Sequence, residues 1–168
     1  MDCVDIINKY YDSMPELKSL LLRHSRDVAD EALRIVDAHP QWHADRLFVE
    51  QAAMLHDIGI FLCHAPSIGC HGTYPYILHG IRGAEILRAE GLPLHARVAE
   101  RHTGSGITLN GIDYFPQSIE EKIICYADKF YSKSHPYIRS SEQHIREKMA
   151  HWGDDSLARW DELTNLMK

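Results

Sequence analysis

Leu17, Leu20, Leu21, His24, Val28, Ala32, Ile35 and Val36 recur at steps of three and four residues, which is the spacing of one buried face on a long α-helix. Pro15 suits the first turn of that helix. His39-Pro40 closes it, because the residue before a proline avoids the helical region. The stripe also sets an imidazole, His24, in the middle of an apolar face, where a bare ring needs a polar partner.

The same period runs through nearly all of the chain. A second helix spans about Ala44 to His56, with Leu47, Phe48, Ala52, Leu55 and His56 inward and Gly59 as its stop. A long loop, 60–78, follows, and loops of this length inside a compact domain are usually functional or mobile. A third helix runs from about His79 to Gly91 and a short fourth from about Leu94 to His102, broken by Thr103-Gly104-Ser105-Gly106. The fifth covers Ser118 to about Ser132, with Ser118 as N-cap and Glu120 and Glu121 in the first turn. The segment 140–168 gives one or two amphipathic helices, with Trp152 and Trp160 as core or capping residues. The expected fold is all-α: one domain of six to seven helices, with a core over about 17–135 and a helical extension over about 140–168.

Composition narrows the function. Hydrophobic residues make up 45% and charged residues 25% of 168, ordinary values for a soluble globular chain. A net charge of −6 argues against a general nucleic-acid surface. It leaves a small anionic substrate open, since a bound metal reverses the local field. No stretch is apolar enough to span a bilayer, and Met1-Asp2-Cys3-Val4-Asp5 lacks the pattern of a signal peptide, so the cytoplasm is the expected compartment. The four cysteines, at 3, 63, 70 and 125, form no CxxC pair. Cys63-His64 and Cys70-His71 are more simply loop residues than a zinc site. Monomer and homodimer both fit this composition.

Histidine stands out, with 12 copies. His24, His56, Asp57, His79, His102 and Asp128 each fall on an apolar helix face or at a helix end beside glycine. A metal centre satisfies that many buried polar groups at once. Imidazole and carboxylate without thiolate suit Mn, Fe, Co, Ni or Zn. Adjacent helical residues diverge by about 100°, so His56 and Asp57 can serve one site only at a helix end, where Ile58-Gly59 turns the chain. A carboxylate placed there can bridge two ions. His39, His43, His95, His135, His144 and His151 are expected at the surface.

Leu55-His56-Asp57-Ile58-Gly59 resembles the HDIG signature of the HD-domain phosphohydrolase superfamily. The order around it matches too: His24-Ser25-Arg26-Asp27 upstream, then His79-Gly80-Ile81-Arg82-Gly83-Ala84-Glu85, Arg101-His102-Thr103-Gly104 and Ala127-Asp128-Lys129. The resemblance covers roughly residues 20 to 135. It implies one metal on His24, His56, Asp57 and Asp128, and a second on His79 and His102 with Asp57 bridging, hence two divalent transition-metal ions. Small HDIG proteins and HD-type symmetrical dinucleoside-tetraphosphate hydrolases share these segments. Many members carry Lys after HDIG where this chain has Ile60, and the GYP motif of cyclic-dinucleotide phosphodiesterases is absent.

The implied chemistry is hydrolysis of a phosphoester or phosphoanhydride in a small, nucleotide-like substrate by a water that the paired ions share and acidify. Asp57 and Lys129 are the expected catalytic residues. Arg82, Lys133 and, from the 60–78 loop, His71 or Tyr74 are expected to hold the substrate. The same six ligands occur in mixed-valent diiron oxygenases of HD type, the alternative reading, and a ligand-binding HD domain is a third.

Overall fold

The computed structural model describes residues 1–104 and 108–168, apart from the side chains of 136 and 137. Among the described residues eight α-helices carry the fold: α1 Cys3–Tyr11, α2 Pro15–Ala38, α3 Arg46–Leu55, α4 His79–Ala89, α5 Pro93–Arg101, α6 Ile119–Asp128, α7 Glu142–His151 and α8 Asp154–Met167. The all-α expectation holds, with one helix more than the upper count. The added element is α1, capped by Asp2 and anchored by buried Ile7 and Tyr11. The Tyr11 hydroxyl donates to the Ile58 carbonyl at 2.8 Å, which ties α1 to the turn after α3.

Local signals account for most helix ends. Pro15 opens α2 and His39, before Pro40, closes it. Asp45 caps α3 by accepting from the Phe48 N–H, and Ser118 and Glu121 form a reciprocal capping box on α6. Part of the break expected after α5 falls at 105 and 106, outside the described residues.

The apolar side chains form two clusters. One joins the later part of α2 to α3, α6, α7 and α8, around Val28, Ala52, Ile123, Phe130 and Trp160. The other joins α1 and the start of α2 to α4, α5 and the turn after α3, around Ile7, Leu21, Leu55, Ile58 and Leu87. On α2, Leu21 belongs to the second cluster and Val28 to the first, with His24 between them. On α5, Val98 and Ala99 divide the same way just before His102. The histidines therefore sit on the seam between the two clusters.

The 60–78 segment is more ordered than an open loop. It holds three single-turn 3-10 helices and a small sheet of β1 Cys63–Ala65, β2 Cys70–His71 and β3 Tyr74–Pro75, in the order β2-β1-β3. Gly72 permits the tight return: a Cβ there would lie 2.1 Å from the Leu62 carbonyl carbon. Further on, β4 Thr108–Leu109 and β5 Ile112–Asp113 pair antiparallel.

Helix α6 stops at Asp128, short of the expected Ser132. The chain turns into β6 Tyr131–Ser132, which pairs antiparallel with β7 His135–Arg139. Trp160 is buried as expected, but Trp152 stands 67% exposed at the end of α7. No described helix is long and apolar enough to cross a membrane.

Candidate metal centre and adjoining cleft

All six residues singled out from their helix positions converge. His24 comes from mid-α2, His56 and Asp57 from the end of α3, His79 from the first residue of α4, His102 from the end of α5 and Asp128 from the end of α6. Their ligand atoms form two groups, one of His24, His56, Asp57 and Asp128, the other of Asp57, His79 and His102. Within each group these atoms lie within 4.8 Å of one another. Asp57 belongs to both. Its Oδ2 is 3.1 Å from Nε2 of His24 and 3.1 Å from Nε2 of His56, and its Oδ1 is 3.2 Å from Nε2 of His79 and 3.2 Å from Nε2 of His102. Asp128 Oδ1 closes the first group at 3.0 Å from His24 and 3.2 Å from His56.

The helix ends orient the rings. Nδ1 of His56 donates to the Ala53 carbonyl at 2.6 Å, Nδ1 of His102 to the Ala99 carbonyl at 2.6 Å, and Nδ1 of His79 to the Tyr76 carbonyl at 2.5 Å. A neutral imidazole whose Nδ1 carries the proton presents Nε2 as a lone pair. The Nε2 atoms of all three rings aim inward, and Nε2 of His79 faces Nε2 of His102 at 3.1 Å. Two acceptors at that distance repel unless a cation or proton lies between them. Asp57 is fully buried, and neither of its oxygens has a well-aligned hydrogen bond. This donor set fits a divalent metal ion.

Burial and neighbouring charges pull the titration of the cluster in opposite directions. Burial disfavours an imidazolium at His56, but the Asp57 charge and the bond to Asp128 outweigh it and raise His56 to about 10. Burial dominates at His102 and pushes it down to about 4, with Asp57 opposing. Asp57 is held well below the usual carboxylate range, because His56 and Lys133 outweigh the burial that would raise it. Asp128 is likewise held low against burial, chiefly by Lys129 and the histidines.

The two lysines reach the centre by different routes. Lys129 follows Asp128 directly, and its Nζ donates to the His102 carbonyl at 2.9 Å and to Asp128 Oδ2 at 3.2 Å. Lys133 is not one helical turn beyond Lys129, because α6 has already ended. It lies between β6 and β7, and its Nζ comes back to within 2.7 Å of Asp57 Oδ2.

The centre opens through Asp128 into a cleft of about 1070 Å³. Asp128, Lys129, Lys133 and Tyr76 line its inner end, and Ala65, Ser67 and Ile68 of the 60–78 segment together with β6, β7 and α7 form the rest of its wall. Arg82 and His71 do not line it. Arg82 points along α4 to Glu85 at 2.9 Å and stacks over the Tyr74 ring at 4.0 Å. His71 is exposed on β2, opposite His64. His135 and His144, expected as plain surface residues, do line the cleft. Their sequence spacing carried no signal, since they belong to β7 and α7, which meet only through tertiary packing.

The geometry and the known proteins agree on the class. The family model for the HD domain matches residues 21–132, and the chain belongs to that family. It is similar to a tRNA (cytidine(56)-2'-O)-methyltransferase of Picrophilus torridus, 38% identical over 122 residues, covering 67% of this chain and 32% of that protein. The enzyme of the same name from Thermoplasma volcanium is 30% identical over 139 residues, covering 77% of this chain and 36% of that protein. An uncharacterised protein of Methanocaldococcus jannaschii is 38% identical over 119 residues, 64% of each chain. The chain thus spans about a third of the length of the two methyltransferases. No solved structure matches it significantly.

Proposed function

We propose that this protein is a metal-dependent phosphohydrolase that cleaves a phosphoester or phosphoanhydride in a small substrate. The observation that carries the reading is the position of Asp57: one buried carboxylate shared by two ligand groups, beside a cleft whose inner end holds two lysines. Two divalent ions on those groups would supply an acidified water and neutralise charge on the phosphoryl group.

The chain's own residues do the rest. Asp57 and Asp128, fixed at the ends of α3 and α6, would hold the ions. The Nδ1–H bonds of His56, His79 and His102 to backbone carbonyls fix ring orientation and raise ligand basicity. Lys129 and Lys133 supply ammonium donors for phosphate oxygens entering through the cleft. Arg82, committed to Glu85 and Tyr74, is less well placed for that role.

The activity for which the two methyltransferase relatives are named belongs to proteins of which about two thirds lies outside the match. Methyl transfer therefore gives no reading of this site, whereas a histidine and aspartate centre suits hydrolysis. The test is metal analysis on protein purified without chelator or nickel, followed by a phosphoester panel with manganese, cobalt and iron. Close to two ions per chain and phosphate release support the reading. Oxygen uptake by an iron-loaded protein without phosphate release would replace it with the oxygenase alternative.

A further inference from the structure

The cleft is much larger than one phosphate group requires, and its charge runs against that of the chain. Small-molecule pockets typically enclose about 300–1,000 Å³, and this one measures about 1070 Å³. The chain carries a net charge of −6, yet Asp128 is the only carboxylate among the described lining residues, against the cations Lys129, Lys133, Arg139 and Lys148.

These cations divide into two ends. Lys129 and Lys133 lie at the metal ligands. Arg139 and Lys148 belong to β7 and α7, beyond the part of the chain that the HD family model matches. Arg139 is held in place by Glu31 at 2.7 Å and by the Phe130 ring at 4.1 Å, so much of its charge is already offset. Lys148 lines the cleft and forms no ion pair among the described residues. His144, one turn before it on α7, and Ser141 line the cleft with it, and Ser132 and Ser134 line it on either side of Lys133. An exposed ammonium without a carboxylate partner, on a rim that also carries hydroxyl and imidazole donors, suits a group with several acceptor oxygens, as a phosphate has.

We propose that this outer wall is a second phosphate subsite, and that the substrate is a small bis-phosphorylated compound. One phosphate would enter at the metal centre, and the other would sit against Lys148 and His144. The proposal rests on the phosphohydrolase reading and deepens it: the centre performs the cleavage, and the segment 132–148 selects which phosphoesters are cleaved.

The test compares a nucleoside 5′-monophosphate with the corresponding 3′,5′-bisphosphate, on the intact protein and on Lys148→Met. Lys18→Met, which removes an equal charge from a surface pair with Asp12, is the control. The wild type is expected to prefer the bisphosphate in kcat/KM, mainly through KM. Lys148→Met should reduce that preference by about tenfold, the loss expected for one charge-assisted hydrogen bond, and Lys18→Met should keep it. Binding of both nucleotides to metal-free protein is measured by titration calorimetry, so that the answer does not depend on turnover. Equal affinity for the two nucleotides, or equal losses in both variants, overturns the subsite. Tighter, Lys148-dependent binding of the bisphosphate without turnover of any phosphoester would keep the subsite and overturn the hydrolase reading instead.

Discussion

Nζ of Lys133 lies 2.7 Å from Oδ2 of Asp57, so an ammonium on the β6–β7 turn shares its carboxylate with both ligand groups. The ammonium and an incoming divalent ion compete for the same oxygen. In the metal-free protein, Lys133→Met leaves Asp57 with less compensation and should lower stability by about 3 kcal/mol, the range for breaking a buried pair. The same change removes a repelling charge, so manganese should bind several-fold more tightly. Urea unfolding with chelator and with manganese measures both effects. Unchanged metal affinity in the variant would mean that Lys133 does not compete for Asp57.

Asp57 and His79 should separate the two ions. Asp57→Asn weakens a ligand common to both groups, whereas His79→Ala removes a ligand from one. We expect metal content to fall from about two ions toward none in the first variant and toward one in the second, with activity lost in both, since two-metal hydrolysis needs the pair. Plasma mass spectrometry on the purified variants gives the ratio. Two ions retained in Asp57→Asn would disprove the bridging role.

Metal loading should also release protons. His56, raised to about 10 by Asp57 and Asp128 against its burial, is protonated at neutral pH, and an imidazole must lose the Nε2 proton to ligate. About one proton per chain should appear in solution near neutral pH, and apparent metal affinity should rise as the pH increases. Calorimetric titration in two buffers of different ionisation enthalpy measures the proton count.

The ligand set was legible because each member interrupts an apolar face or closes a helix beside glycine, a pattern that survives without knowing how the helices pack. Helix α1 was not, since its buried side is little more than Ile7 and Tyr11 and gives too short a stripe to recognise. The end of α6 was hidden for another reason. Its residues up to Ser132 are compatible with a helix, and the turn into β6 is set by pairing of Tyr131 with Arg139 across the hairpin. Lys133 lies on the turn of that hairpin, so its approach to Asp57 depends on the strand pair. The cleft wall from 132 to 148 followed the same rule: its residues are ordinary in sequence and meet only in three dimensions.

Gly59 fixes the spacing of the two ligand groups. A Cβ there would lie 2.4 Å from the Gly83 nitrogen and 2.5 Å from the His79 carbonyl oxygen, all backbone that cannot rotate away. Gly59→Ala should push α4 from the end of α3, carrying His79 away from Asp57. We expect a stability loss of about 1–3 kcal/mol, as for other overpacked sites, and selective weakening of the ion on His79 and His102. A melting curve with and without manganese, read with metal stoichiometry, checks both. Normal stoichiometry with a normal melting point would show that α4 tolerates the shift.

Glu31 supports the cleft from behind. It is buried on α2, and its carboxylate accepts from Arg34 at 2.9 Å and from Arg139 at 2.7 Å. Burial alone would raise its pKa, but the two arginines outweigh it and bring it below the ordinary 4.5. A depressed folded-state pKa contributes stability that is present above the unfolded value and is lost as the pH falls through the folded one. Glu31→Gln should therefore cost about 1–3 kcal/mol near neutral pH, as expected for hydrogen bonds to charged groups. The gap from wild type should close as the pH falls below about 4.5. Urea titrations at neutral and acid pH test this expectation, and a gap that persisted in acid would show that Glu31 acts through packing instead of charge.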